Sequence, residues 1–441
     1  MTIINKKEPV LLGLGDVVIL AISLFLTLIV RNQAVPSPEL IGALTLPFSI
    51  IFVYSILIFY ISGLYGRMIS IARSSIPGTI FGAQIANGLI AVALFYFVAS
   101  FSVNPKTTLF IYLALSTIFL VLWRVATYPL LSLRRKYPAL VIGSGPEVTE
   151  LVKEMSESSR IGLYCEREID PAHALDPIMP APVDFRYIVA DMNNTHLEAL
   201  LPELYRRFFP KAQIIDLHEL YEEIFNRIPL SCMNYAWIMS HISAVSSKMY
   251  DIMKRLIDLF FGFVVGCAAC IVYPFVALAI KAEDGGEVFI RQERIGRNNI
   301  PIYIYKFRSM MRNDTGKWLM EADNKNKVTR VGRFIRKTSI DELPQALAFL
   351  KGDMSLIGPR ADIIDLGKRL EREIPYHPIR TVITPGLTGW AQINQEKPPQ
   401  SIEENKIRLS YDLYYIKHRS LSLDLRIILR TLKTLLSRVG M

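Results

Sequence analysis

The sequence predicts a membrane protein of mixed α and α/β class. Three observations predict it: four apolar runs of spanning length in the first quarter, a change after residue 136 to short strands alternating with helices, and a fifth apolar run with basic residues on both sides. The expected organisation is a four-helix transmembrane domain over 1–136, a small α/β accessory domain over 137–245, and a mainly helical domain over 246–441 that carries a re-entrant membrane helix at 256–280. Composition agrees, since 51% of the 441 residues are apolar, high for a soluble protein.

The four runs are Val10 to Val30, Leu40 to Leu64, Thr79 to Phe101 and Thr108 to Ala126. Each is near the roughly 20 residues that cross a bilayer as a helix. The first has full spanning length and no clear small-residue cleavage site, so it reads as a span rather than a cleaved leader. Lys6 and Lys7 precede the first run, Arg67 and Arg73 follow the second, and Arg134, Arg135 and Lys136 follow the fourth, against only Arg31 and Lys106 on the opposite side. Both ends of the unit are therefore expected at the cytoplasmic face.

After Tyr137 the alternation Ala139 to Ile142, Glu147 to Met155, Tyr187 to Ala190, His196 to Phe208 and Ala212 to Leu217 predicts a parallel sheet with helices. Gly143-Ser144-Gly145 lacks the third glycine of a dinucleotide fingerprint, and a tight strand-to-helix turn is the expected role. The run Leu256 to Ile280 is apolar apart from Asp258 and contains Pro274. Lys248, Lys254 and Arg255 precede it and Lys281, Arg291 and Arg294 follow. A straight span would export one basic flank, so the charge rule predicts a helix that enters the cytoplasmic leaflet, breaks near Pro274 and returns. From Leu421 onward, Leu425, Ile428, Leu429, Leu432, Leu436 and Val439 fall on one helical face, with Arg426, Arg430, Lys433 and Arg438 largely off it. A membrane-surface helix and a helix packed on its own domain both satisfy that pattern.

Lys and Arg exceed Asp and Glu by 50 to 40, which suits anionic partners such as lipid head groups and nucleotides and partly reflects positive-inside flanks. Nucleic acid is not an expected partner, because the basic residues lie beside membrane segments and no recognised nucleic-acid module occurs. The four cysteines, at 165, 232, 267 and 270, support neither a disulfide framework nor paired zinc knuckles, and Cys267 and Cys270 sit in an apolar run without charged partners.

The chemistry is concentrated in Lys337-Thr338-Ser339-Ile340-Asp341-Glu342-Leu343-Pro344-Gln345. Ser339 and Glu342 have the spacing of a capping box, so a helix is expected to begin here with Asp341 and Glu342 in its first turn. The positive end of such a helix favours an ionised carboxylate and a nearby phosphate, as covalent catalysis by an aspartate requires. Capping alone would account for the two acids; the surrounding Lys306, Arg308, Arg330, Arg333, Arg336 and Arg360 shift the reading toward phosphate binding. Two adjacent carboxylates, Asp341 and Glu342, also suit a Mg²⁺ shared with a diphosphate. No H-E-x-x-H, G-x-S-x-G or Walker motif occurs, and no Asp-x-Asp pair.

The stretch from Lys254 to Asp424 resembles the bacterial sugar transferase family, the polyprenyl-phosphate hexose-1-phosphate transferases. The resemblance is carried by Lys254-Arg255-x-x-Asp258, Arg291-Gln292-x-Arg294-x-Gly296, Lys306-Phe307-Arg308-Ser309-Met310, Thr329-Arg330-Val331-Gly332-Arg333, the Asp341-Glu342 segment, Gly352 to Arg360 and Pro385 to Gln392, in the family's order. Tyr273 before Pro274, Glu287 after the glycine pair and Ala361 after Arg360 depart from it. The N-terminal spans and a Rossmann-like domain look like the large form of that family.

The resemblance implies transfer of hexose-1-phosphate from a UDP-hexose to undecaprenyl phosphate at the inner membrane, with release of UMP. It implies Asp341 as the nucleophile that forms a phosphosugar intermediate, Glu342 on Mg²⁺, and Lys306, Arg336 and Arg360 on phosphates. It further implies the initiating step of capsule, O-antigen or exopolysaccharide synthesis, membrane lipids as partners, and a homo-oligomer, in the simplest case a dimer. Two other classes stay open on the residues alone: a catalytically silent scaffold of a polysaccharide assembly complex, and a conventional glycosyltransferase that releases UDP.

Overall fold

In a lipid solvent every backbone amide must be satisfied within its own segment, so the four apolar runs fold as helices. They are α1 (Glu8–Asn32), α2 (Pro38–Ile61), α3 (Ile76–Phe97) and α4 (Lys106–Ser132). The computed structural model describes residues 8–62, 64–65, 76–97, 106–132, 136–158, 161–171, 185–192, 194–198, 201–208, 212–242, 248–311, 328–395 and 397–439. Lys6, Lys7, Arg67, Arg73, Arg134 and Arg135, flanking charges on which the expected orientation rests, lie outside them. Among the described residues three helices are long and apolar enough to cross a membrane: Val10–Asn32, Thr107–Thr127 and Lys248–Asp284. The helices α2 and α3 carry the shorter apolar stretches Thr45–Tyr60 and Pro77–Val92.

Two compact units divide the chain, one of Met1–Ala190 with Ala199–Ile215 and one of Asp191–Glu198 with Asp216–Met441. In the first, α1 to α4 pack through Leu20, Phe48, Ile51, Phe59, Ala83 and Tyr112, while Leu14, Val53, Phe81, Leu89 and Phe110 face outward. Large apolar side chains outside and polar groups inside suit lipid as the surrounding solvent. The interior holds an Asp16–Arg124 ion pair at 2.5 Å, which also engages the Tyr65 hydroxyl and the Leu64 carbonyl.

The same unit carries β1 (Tyr137–Ile142), α5 (Pro146–Glu157), β2 (Leu163–Ile169) and β3 (Tyr187–Ala190); α6 (Thr195–Glu198) belongs to the second unit, and α7 (Leu201–Phe208) and β4 (Gln213–Asp216) return to the first. The strand order is β2-β1-β3-β4, and β1 pairs in parallel with both β2 and β3. The expected α/β alternation is therefore present, with one strand, β2, beyond those anticipated. Gly145 precedes α5 with φ 114°, a conformation that glycine adopts readily, and the Gly143-Ser144-Gly145 segment is the tight turn between β1 and α5.

The second unit contains α8 (Leu217–Phe225), α9 (Tyr235–His241), α10 (Lys248–Asp284), β5 (Phe289–Ile295), β6 (Pro301–Phe307), α11 (Arg330–Lys337), a 3₁₀ turn at Ile340–Gln345, α12 (Ala346–Lys351), β7 (Ser355–Ile357), α13 (Ile364–Glu373), β8 (Gly386–Thr388), α14 (Trp390–Asn394), α15 (Ile402–His418) and α16 (Leu421–Val439). The helix α9 and the segment before it, assigned by sequence to the accessory domain, sit in this unit's core: Ile228, Met233 and Trp237 pack with Trp390, Leu409, Leu413 and Ile427.

The run expected to break near Pro274 is one helix, α10, of 37 residues with Pro274 inside it, about 55 Å at 1.5 Å per residue. One face lies along the unit through Phe261 against Phe349, Gly262 against Phe349 and Leu350, and Tyr273 against Phe289 and Phe307. The other face exposes Phe260, Phe263, Ile271, Phe275 and Leu278. Asp258 is not a membrane-buried charge without partners: it accepts from Ser355 Oγ at 3.0 Å and from the Leu356 N–H at 2.8 Å, fixing α10 to β7.

The last helix also differs from its sequence pattern. Leu425, expected on the apolar face, is exposed, whereas Leu423 and Ile427 are buried. The reason is Asp424, buried and bonded to Tyr250, Lys254 and Tyr415, which turns its own side of α16 inward. Leu432, Lys433, Leu436, Arg438 and Val439 have side chains outside the description.

Candidate active site

An antiparallel hairpin supplies the floor of the site. Arg294 on β5 pairs with Ile302, and Lys306 on β6 pairs with Ile290, in a continuous register. Paired residues share a sheet face, and every second residue returns to it, so Arg294, Gln292, Ile304 and Lys306 point the same way. That face packs on Phe349 and Met354, while Phe307 on the opposite face packs with Val276 and Ile280 of α10. The hairpin is thus held between α12 and α10, and it projects Lys306 toward the 3₁₀ turn.

The 3₁₀ turn carries Asp341 and Glu342 in its first turn, as expected. The capping box does not form: Ser339 lies in the left-handed region at φ 57° and makes no side-chain cap bond. Glu342 instead accepts from Lys306 Nζ at 2.8 Å, a charge-assisted bond that outweighs a reach back to the helix start.

The two adjacent acids are tuned in opposite directions. Burial pushes the Asp341 carboxyl up to about 6; Glu342 adds repulsion, while Lys306 and Arg336 favour the anion. Burial also opposes ionisation of Glu342, but Lys306, Arg360 and Arg294 together hold it below the usual carboxylate range. At neutral pH both groups are ionised, Asp341 with the smaller margin. This split is the pattern of an acid pair with distinct roles.

Lys306, Glu342, Gln345, Arg360, Arg294 and the Gly386 backbone line one pocket beside these acids. Arg360 reaches it because β7 and β8 approach closely: the Gly386 N–H donates to the Pro359 carbonyl at 2.9 Å, and a side chain on Gly358 would meet Thr384 O at 2.6 Å. Arg294 was part of a sequence motif but carried no assigned role. Its position on the Lys306 face of the hairpin was available from strand alternation, and burial together with the Arg360 charge brings its pKa down to about 10.

Not every basic residue joins the pocket. Arg308 is buried elsewhere, ion-paired with Asp284 and donating to the Glu287 carbonyl at 2.7 Å, so it ties the end of α10 to β6 rather than facing the acids. Arg330 and Arg333 have exposed side chains on α11, and the first amides of α11 donate to Glu283 at 2.6 and 3.0 Å. Arg336, exposed in the last turn of α11, acts on Asp341 through its charge. Pro274 and Asp258 lie on α10 outside the pocket: Pro274 is exposed, and Asp258 ties the helix to β7.

The carboxylates of Asp341 and Glu342 are hard oxygen donors beside a cationic pocket, a set that suits Mg²⁺ completed by substrate phosphate oxygens. Among the described residues no group of three or more His, Cys, Asp or Glu gathers as a metal site, so water and phosphate oxygens would supply the remaining ligands.

Residues 249–438 match the family model described as bacterial sugar transferase. The chain is 39% identical over 206 residues to a UDP-N-acetylgalactosamine-undecaprenyl-phosphate N-acetylgalactosaminephosphotransferase from Aeromonas hydrophila, covering 45% of this chain and 47% of that one. It is 35% identical over 218 residues to a UDP-glucose:undecaprenyl-phosphate glucose-1-phosphate transferase from Escherichia coli (strain K12), covering 49% and 45%. A third similarity, 36% over 196 residues, spans 42% of this chain and 96% of the exopolysaccharide production protein PSS of Rhizobium leguminosarum bv. phaseoli. The alignments thus cover about half the length of the first two relatives and almost all of the third.

Proposed function

Because the chain belongs to the bacterial sugar transferase family, we propose that it transfers hexose-1-phosphate from a UDP-hexose to undecaprenyl phosphate and releases UMP. The observation that carries the proposal is Asp341, a buried carboxylate with a pKa near 6, set against Lys306, Arg336 and the ionised Glu342.

In the first step an Asp341 carboxylate oxygen attacks the β-phosphorus of the nucleotide sugar. The bond from that phosphorus to the bridging oxygen breaks, and UMP leaves with the oxygen. The product is a hexose phosphate esterified to Asp341. In the second step an oxygen of undecaprenyl phosphate attacks the same phosphorus and the Asp341 carboxylate departs, leaving undecaprenyl diphosphate hexose. Lys306 and Arg360 offer cations to the phosphoryl oxygens, where charge accumulates as the bonds exchange. Mg²⁺ held by Glu342 and Asp341 would supply further charge neutralisation on the diphosphate.

The same reading extends to the membrane. Both ends of α10 are tied to one unit, by Lys254 to Asp424 at 3.2 Å and by Asp284 to Arg308, which supports a helix whose two ends stay on one side of the membrane rather than one that crosses it. The exposed apolar face of α10 would then sit in the leaflet that carries the lipid acceptor, with the catalytic unit at the cytoplasmic face of the inner membrane. Initiation of capsule, O-antigen or exopolysaccharide synthesis and a homodimeric particle complete the proposal, the second to be read from the mass of the solubilised protein.

The test is to incubate membranes containing the protein with Mg²⁺, undecaprenyl phosphate and a panel of UDP-hexoses, and to identify the nucleotide released. Lipid-dependent UMP supports the proposal and names the sugar. Release of UDP would replace it with a glycosyltransferase, and release of neither with a scaffold.

A further inference from the structure

We propose that Asp362, Arg380, Arg408 and Asp412 form a positioning network that fixes the direction in which Arg360 enters the catalytic pocket. The inference rests on the phosphate-binding role of that pocket.

The four residues lie on three separate elements: Asp362 just after the Gly358-Pro359-Arg360 loop, Arg380 in a 3₁₀ turn at His377–Thr381, and Arg408 and Asp412 one helical turn apart on α15. Arg380 bridges the two acids, donating to Asp412 from Nε at 3.0 Å and pairing with Asp362 through Nη1. Arg408 pairs with Asp362 at 3.1 Å. His377 Nε2 lies 3.5 Å from Asp362, and burial, followed by the Arg380 charge, pushes its pKa down to about 4, so it adds no proton to the set at neutral pH. Two guanidiniums and two carboxylates cancel, and all four side chains are 11% exposed or less.

What the network holds is backbone. Arg380 Nη2 and Arg408 Nη2 each donate to the Arg360 carbonyl at 2.9 Å. Arg294 Nη1 donates to the Ala361 carbonyl at 2.9 Å, and the Ile295 N–H to that of Asp362 at 2.8 Å. With the Gly386 N–H on Pro359, four successive carbonyls from 359 to 362 each accept a bond. A segment fixed carbonyl by carbonyl leaves the Arg360 side chain few directions, and the one it takes lines the pocket beside Glu342 and Lys306.

A buried charge network is a poor way to gain stability, since apolar residues of equal volume do as well or better. It is a good way to hold one backbone geometry, because guanidinium forks bond in fixed directions. A phosphate-binding arginine needs such geometry, as misplacement of a binding group by about 1 Å can cost 100-fold. None of the four lines the pocket of Lys306 and Glu342, and their bonds toward it run through the Arg360 carbonyl.

The experiment is a double-mutant cycle on the full-length protein in nanodiscs with Arg408→Lys, Arg360→Ala and the pair, using UDP as the probe and titration calorimetry as the readout. Lysine keeps the charge next to Asp362 but cannot reach Asp362 and the Arg360 carbonyl together. The expected result is UDP affinity weakened about tenfold by Arg408→Lys in the wild-type background and less than about twofold when Arg360 is already alanine. Equal losses in both backgrounds, or no loss from Arg360→Ala itself, would overturn the inference. If Arg408→Lys does not fold, Arg380→Lys enters the same cycle. UMP release is measured on the same wild-type protein: UDP binding through Arg360 without UMP release would remove the transfer reading and leave the network, whereas UMP release with no coupling would remove the network alone.

Discussion

Replacing Asp341 by asparagine should abolish turnover and at the same time stabilise the catalytic unit at neutral pH. The carboxyl is 8% exposed, and its pKa stands at about 6 against 3.8 for the unperturbed group. A raised carboxyl pKa means that the fold prefers the neutral acid. Between pH 3.8 and 6 the native state therefore holds more protons than the unfolded chain, and stability declines as pH rises through that window. Above it the full cost of ionising a buried group is present. A displacement of about two pKa units corresponds to roughly 3 kcal/mol, an upper figure for the cost that the isosteric neutral amide removes. For a unit of some 200 residues, about 1 kcal/mol moves the midpoint by 2–4 °C, so a gain of up to roughly 6–12 °C is expected at pH 7.5. Thermal unfolding of both proteins in the same nanodiscs at pH 4.5, 6 and 7.5 is the assay, with UMP release measured in parallel. The difference should be small at pH 4.5 and grow toward pH 7.5. An asparagine variant no more stable than wild type at pH 7.5, or a difference independent of pH, would refute the placement of Asp341 as a buried, reluctantly ionised nucleophile.

Three other outcomes are expected. The kcat/KM profile should fall about tenfold per unit below pH 6 as Asp341 takes up its proton, and Lys306→Met should shift that limb to higher pH while lowering kcat by about 100-fold, since the ammonium that favours both carboxylates is gone. Arg308→Ala should lower unfolding stability by about 2–3 kcal/mol without raising the KM for UDP-hexose, because its partners are Asp284 and the Glu287 carbonyl; a raised KM at unchanged stability would return Arg308 to the substrate site. In the four-helix unit, Arg124→Met should cost about 3–5 kcal/mol by stranding Asp16, and adding Asp16→Leu should recover most of it, as read by unfolding of the full chain in detergent.

Long apolar runs and the alternation after residue 136 made the helices α1 to α4, α10 and most of the sheet legible. Strand β2 was not, because Leu163-Tyr164-Cys165-Glu166-Arg167-Glu168-Ile169 is rich in charge; it is an edge strand, so part of its surface meets solvent and no apolar pattern is required. The acid pair and Lys306, Arg336 and Arg360 were recognisable as a group, but local pattern misjudged two details. Ser339 has capping-box spacing, yet the tertiary bond from Lys306 takes Glu342 and leaves Ser339 left-handed. Arg308 follows Lys306 by two residues, but β6 ends at Phe307 and the chain turns Arg308 toward the end of α10. The buried acids Asp362, Asp412 and Asp424 were unreadable, since apart from Arg408, one turn before Asp412, the partners that hold them are 9 to 174 residues away. The α16 face was misjudged at Leu425 for the same reason, while Ile428 and Leu429 pack inward as expected.

The central claim is that phosphorus passes through Asp341. Its most direct test is intact-protein mass measurement after incubation with Mg²⁺ and the UDP-hexose that supports turnover, with no polyprenyl phosphate added. A mass increase of one hexose phosphate on wild-type protein, absent from Asp341→Asn, accompanied by one equivalent of UMP and discharged when undecaprenyl phosphate is supplied, is the predicted result. Turnover in the complete mixture with no adduct at any time, or an adduct that persists in Asp341→Asn, would contradict it.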